Sequence, residues 1–142
     1  MLKSLLLAVL AASVAVGIGM TQQSNVKVTI PVNKTSATSG KQMFTSYCAP
    51  CHGVDGKGRG PASPALKTPP TDLTVLSRSN HGKYPETHIV SVLQFGIETT
   101  AHGSADMPVW GPILGKMNKA NGQEKQLRIS NLSSYLESIQ AK

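Results

Sequence analysis

Apolar residues fall into one unbroken run and three periodic stretches. The unbroken run comes first: Leu5 to Met20 is interrupted only by Ser13 and follows Lys3, the order of positive n-region and apolar core in a secretory leader. Residues 1–20 are therefore read as a signal peptide, with the cleavage point open among Ala15, Gly17, Gly19 and Met20. A retained anchor is the alternative, since 16 residues fall short of the ~20 that span a bilayer but suffice for a tilted or interfacial helix. Residue 20 has no cysteine near it, which argues against a lipid-modified N-terminus. Residues 21–39, rich in Ser, Thr, Asn and Gln, read as a linker. Within them Val26, Val28, Ile30 and Val32 alternate with other residues, so a short extended arm competes with the tether, Pro31 confining it to an edge.

The periodic stretches predict three helices. The first runs from Gly40 through Met43, Phe44 and Tyr47 to Cys48, with Ser39 as its N-cap. The second follows Pro85, carries Ile89, Val92 and Leu93 on one face, and stops at Gly96. The third begins its apolar stripe at Leu127 and continues it through Ile129, Leu132, Tyr135, Leu136 and Ile139. Between the first two, glycines 53, 56, 58 and 60 and prolines 61, 64, 69 and 70 exclude regular structure, and so long a loop is usually functional or wrapped around something. With no strand ladder in the pattern, the fold class is all-α.

Composition narrows the function classes. A chain of 142 residues is one domain at most, which excludes a multi-domain enzyme, a polytopic membrane protein and a collagen-like repeat. Six aromatic residues are few for a core in which large rings supply much of the buried area, so another body is expected at the centre. The formal charge of +7 comes without a basic cluster interleaved with aromatics, which makes nucleic acid a poor partner.

The chemistry is concentrated in Cys48, Ala49, Pro50, Cys51 and His52. This CxxCH motif reads as a covalent haem c attachment: a tight turn brings two thiols to the vinyl edge of one porphyrin, and the adjacent imidazole reaches the iron as an axial ligand. Attachment takes place outside the cytoplasm, in agreement with the leader. Three other readings compete. A thioredoxin-type pair needs βαβ units; a zinc site needs more ligands than His81, His88 and His102 offer at their spacing; a disulfide over so short a loop is strained.

From Gly40 to about residue 140 the chain resembles the class I, mono-haem c-type cytochromes, of a bacterial type. The resemblance rests on Gly40 and Phe44 before the motif, Tyr135 and Leu136 in the last helix, the run CHGVDGKGRGP, and MPVWG at Met107 to Gly111. It implies a cytochrome c-like fold of three main helices wrapped around one haem, occupying residues 40–142. It also implies Met107 as the second axial ligand and the Pro61 carbonyl as acceptor of the His52 ring proton. Other candidates for the sixth position are Met43, Met117, His81, His88 and His102. Met43 is tied by sequence to the proximal side and Met117 sits in a polar stretch, whereas Met107 has chain enough to pass round the porphyrin edge, with Pro108 keeping its segment irregular. His102 is the leading rival, histidine being a good iron ligand. Leu66, Phe95, Trp110, Leu114 and Leu132 are expected to line the pocket. Arg78, Lys83 and Tyr84 are candidates for the propionates, with a solvated surface the more common fate of such groups.

A filled iron site and no remaining acid, base or nucleophile cluster point to an electron-transfer protein rather than an enzyme. The expected role is a one-electron carrier in the periplasm or another exported compartment, docking to redox partners with acidic surfaces. The alternative is a cytochrome subunit of a membrane-associated or periplasmic oxidoreductase complex. Loss of Lys3 with the leader lowers the charge from +7 to +6, and two ionised propionates bring it to about +4, a modest docking field.

Overall fold

The computed structural model describes residues 32–96, 107–117 and 122–142; the leader, most of the linker and His102 lie outside them. Among the described residues the regular structure is entirely helical, as expected. The first helix begins at Gly40 behind Ser39, whose Oγ accepts the Gln42 N–H at 3.2 Å, the N-cap that the sequence predicts. It consists of α1 (Gly40–Met43), a π-helical segment (Phe44–Cys48) and α2 (Ala49–His52). The wider π turn directs the Ala49 N–H to the Phe44 carbonyl, placing a local irregularity of the sort that marks functional positions immediately before the paired cysteines.

A 3-10 turn at Ser63–Ala65 and a short α3 (Leu76–Ser79) interrupt the long loop. Helix α4 (Glu86–Phe95) ends at Gly96, φ +84°, as the glycine stop predicts. Helices α5 (Trp110–Lys116) and α6 (Gly122–Ser138) follow. Helix α5 is not among the three helices that the sequence pattern predicts; Pro112 lies in its first turn, where the missing N–H has no intrahelical partner to lose.

Helix α6 is the hub, packing on α1, α4 and α5, while α4 packs on α5. Its crossing with α1 is close because Gly40 has no side chain: a Cβ there would stand 2.1 Å from the Asn131 carbonyl oxygen and 2.7 Å from Tyr135 Cβ. Phe44 and Tyr135 meet beside it with ring centroids 5.2 Å apart, the terminal-helix contact expected of Gly40, Phe44 and Tyr135. The buried stripe of α6 departs from the expected one. It comprises Arg128, Ile129, Leu132, Ser133 and Leu136, and Leu127 faces solvent at 44% exposure. Arg128 is buried because Glu124, one turn earlier, accepts from its Nη2 at 2.8 Å and its Nε at 3.2 Å, which compensates the charge.

The segment before Gly40 has contacts of its own with the helices. Residues 33–39, expected as linker, lie against them: Thr35 is buried, Asn131 Nδ2 donates to the Ala37 carbonyl at 3.0 Å, and the Ser36 N–H donates to Gln42 Oε1 at 2.9 Å. Polar composition conceals this docking because the strap is held by hydrogen bonds rather than by apolar periodicity.

Candidate functional site

Cys48 closes the π segment, and Cys51 and His52 complete the helical turn that follows. That turn ends at Gly53, whose φ of +80° only glycine adopts without strain. The carbonyls it leaves open are taken up in sequence by the glycine-rich loop. Gly58 N–H donates to His52 O at 2.7 Å, Gly60 N–H to Cys51 O at 2.9 Å, and Ala62 N–H to Pro50 O at 2.9 Å. So close a wrap explains the glycines: a Cβ on Gly60 would stand 2.3 Å from the Pro50 carbonyl oxygen, and one on Gly58, itself at φ +78°, 2.1 Å from that of Pro70.

Past the prolines the loop returns across the motif. Leu73 N–H donates to Gly56 O at 2.7 Å, and the adjacent Thr71 carbonyl lies 2.9 Å from His52 Nδ1. The acceptor for the imidazole is therefore Thr71, in place of the expected Pro61. The reason is topological: Ala62 and Gly60 hold the Pro61 region against the backbone of Pro50 and Cys51, and the carbonyl that the returning loop brings to the ring is that of Thr71. The carboxy terminus secures the returning strand of loop, since Gln140 Nε2 donates to Leu73 O at 2.7 Å, Gln140 Oε1 accepts from Ser77 N–H at 2.9 Å, and Ala141 N–H donates to Thr74 O at 2.7 Å.

The cysteines form no disulfide. Burial, reinforced by the charge of Cys51, pushes the Cys48 thiol up to about 12, opposite to the lowered pKa of an activated redox cysteine. Burial also lowers the His52 pKa, partly opposed by the Thr71 hydrogen bond, so the ring is neutral at pH 7, the form that ligates metals. With Nδ1 facing a carbonyl, Nε2 is the nitrogen left for a metal.

Met107 is half-buried at the approach to α5, against the core that includes Cys48. Met43 and Met117 are deeper and engaged otherwise: Arg128 Nη1 donates to Met43 Sδ at 3.9 Å and the Tyr47 hydroxyl to Met117 Sδ at 3.5 Å. Met117, which the sequence leaves as a surface or gap-filling methionine, is buried in the core. Trp110, Leu114 and Leu132 join the Cys48 core. Phe95 does not, at 64% exposure, because the inward face of α4 is set by Ile89 and Leu93 and a residue two further on points away. Tyr84 is buried and bonded to Ser133 O at 3.0 Å, so it is no surface ligand for a propionate; Arg78 and Lys83 are exposed, as are His81 and His88. Sequence reading missed the roles of Thr71, Thr35 and Arg128, each of which acts through a long-range contact without a motif.

Two cysteine sulfurs, a carbonyl-oriented imidazole and a half-buried thioether form a donor set that fits a haem. Paired sulfurs and an adjacent histidine on one helical turn are the donor set of a covalently attached haem c.

Comparison with known proteins agrees. Residues 35–121 match the family described as cytochrome c oxidase, cbb3-type, subunit III. No curated protein matches the chain. Among solved structures, the Kuenenia stuttgartiensis reducing HAO-like protein complex is similar at 23% identity and a TM-score of 0.43, covering 76% of this chain and 45% of that one. The chain spans less than half the length of that relative. Because the family match extends over more than half of the sequence and includes the CxxCH turn, the chain belongs to the cytochrome c oxidase, cbb3-type, subunit III family and is a c-type cytochrome with covalently bound haem c.

Proposed function

We propose that this cytochrome is a one-electron carrier of an exported compartment, with its haem held by Cys48 and Cys51 and its iron ligated by His52 and Met107. The observation that carries the reading is the single helical turn on which Cys48, Cys51 and His52 stand, with His52 Nδ1 held 2.9 Å from the Thr71 carbonyl. When bound, the haem would supply a one-electron iron couple. The two thiols anchor it through thioether bonds. Thr71 selects the imidazole tautomer, fixes the plane of the ring and raises the basicity of Nε2. Among the methionines of the described residues, Met107 is the one whose sulfur is not committed to the Arg128 or Tyr47 hydrogen bonds, and a thioether ligand raises the potential.

A second reading is supported by the family description: the chain serves as the cytochrome subunit of an oxidoreductase complex. In both readings the chain passes electrons and a partner carries out the substrate chemistry. Among the described residues no helix is long and apolar enough to cross a membrane.

The test is the mass of the mature protein together with its visible spectrum. Expected are a chain shortened near residue 20, the added mass of one haem, and the charge-transfer band of a methionine-to-iron bond in the oxidised state. A mass without haem overturns the attachment, and rapid carbon monoxide binding by the reduced protein overturns Met107. Purification without detergent as a lone chain favours the carrier; co-purification with a catalytic subunit favours the complex.

A further inference from the structure

Tyr47 immediately precedes Cys48, is buried, and touches both ends of α5. Its ring stacks on Trp110, the first residue of the helix, with centroids 5.5 Å apart and planes inclined by 28°. Its hydroxyl reaches Met117, the residue that follows the last turn, with oxygen to sulfur 3.5 Å.

The hydroxyl belongs to a directed chain. Arg128 can only donate, so its Nη1 supplies a proton to Thr35 Oγ1 at 3.2 Å. Thr35 then turns its own proton to the Tyr47 oxygen at 2.8 Å. The single Tyr47 proton is left for the Asn33 carbonyl and for Met117 Sδ. Arg128 is in turn oriented by Glu124. Four segments distant in sequence, in the strap, the π segment, α5 and α6, are thus joined through one buried phenol, and such chains polarise their members cooperatively.

Met107 stands three residues before Trp110, so the placement of α5 relative to the cysteine turn governs where the Met107 thioether lies. We infer that Tyr47 is a positioning residue: it clamps α5 to the haem-attachment turn and thereby holds the distal ligand segment closed. The ligand part rests on the Met107 reading above, whereas the clamp on α5 rests on the contacts of Tyr47 alone.

The experiment uses full-length holoprotein carrying Tyr47→Phe, which keeps the stacking ring and removes the hydroxyl. Tyr84→Phe is the control, because it removes another buried hydroxyl, one whose hydrogen bonds go to Ser133 O at 3.0 Å and Ser133 Oγ at 3.2 Å in α6 rather than to α5. Amide hydrogen exchange is followed in α5 and α4, and imidazole binding to the oxidised haem by absorbance. With Tyr47→Phe, exchange in α5 should accelerate about tenfold relative to α4, the factor set by one lost buried hydrogen bond. Imidazole should bind faster by a similar factor, while the control changes neither ratio. Equal acceleration of α4 and α5, as from general loosening, overturns the inference. If the native protein lacks the methionine-to-iron band, the Met107 reading fails and the α5 to α4 exchange ratio still decides the clamp. Should Tyr47→Phe fail to mature, Thr35→Val breaks the chain one link away and is judged by the same ratio.

Discussion

Thr71 offers His52 a carbonyl at 2.9 Å, so whatever fixes the backbone of Thr71 bears on the imidazole. Gly58 is one such residue, with φ +78° and only 2.1 Å between its would-be Cβ and the Pro70 oxygen. Gly58→Ala should lower holoprotein stability by about 2 kcal/mol, combining the positive φ with overpacking, as read from denaturant unfolding. Asp72, next in sequence, accepts from the Thr74 N–H at 2.8 Å and from Thr74 Oγ1 at 2.6 Å. These bonds to Thr74 hold its carboxyl below the usual value of 3.8. A depressed folded-state pKa adds stability that is full above the ordinary carboxylate range and is lost as the pH falls through the lowered value. Asp72→Ala should therefore flatten the acid limb of stability against pH below about 4 and leave the curve near neutrality parallel to that of the native protein. A variant whose acid limb keeps its native steepness would count against this role.

Helix crossings depend on two glycines, of which Gly40 stands where the resemblance leads one to expect a contact and Gly111 has no such signal. Gly40 meets Asn131 where α1 crosses α6, and Gly111 brings α5 against α4 with a would-be Cβ 2.2 Å from the Gln94 carbonyl oxygen. Both obstacles are backbone, so the helices themselves must part. Gly40→Ala and Gly111→Ala should each cost about 1–3 kcal/mol, measured by thermal unfolding of the holoprotein, although alanine has the better helix propensity. A stabilising outcome would show that propensity outweighs the clash. Helix α6 teaches the converse lesson. Periodicity places Leu127 inside and Arg128 outside, whereas Glu124, Thr35 and Met43 supply a buried pocket for the guanidinium, and the helix turns accordingly.

Across the whole molecule, the buried charge on α6 is held by one carboxylate and one hydroxyl from the strap. Glu124→Gln keeps the shape and removes the compensating charge, so stability should fall by about 2 kcal/mol, the value typical of a hydrogen bond to a charged group. Chemical denaturation at neutral pH measures it. The molecule's field acts outward as well. Lys57, Arg59 and Lys67 are exposed on the loop that wraps the cysteine turn, and with the net positive charge they support an acidic docking partner. Electron transfer to such a partner should slow as ionic strength rises from 0.01 to 0.15 M, where the screening length shrinks from about 30 to 8 Å. A rate indifferent to salt would remove electrostatic steering from the account. Covalent haem is the large apolar body that the small number of aromatics calls for, so Cys51→Ala should weaken folding as well as redox activity, in both cases compared with the native holoprotein.

The local order of residues was sufficient for the cysteine turn, its histidine, the helical class, the Ser39 cap and the Gly96 stop, because each depends on neighbours a few positions apart. Spacing alone brings two sulfurs and an imidazole to one turn. The Thr71 acceptor, the docking of residues 33–39, the burial of Arg128 and Met117 and the grip of Tyr47 on α5 required the folded chain. They depend on contacts between segments 12 to 94 residues apart, made by polar atoms whose partners are chosen by packing, and no periodicity along the sequence records such a choice.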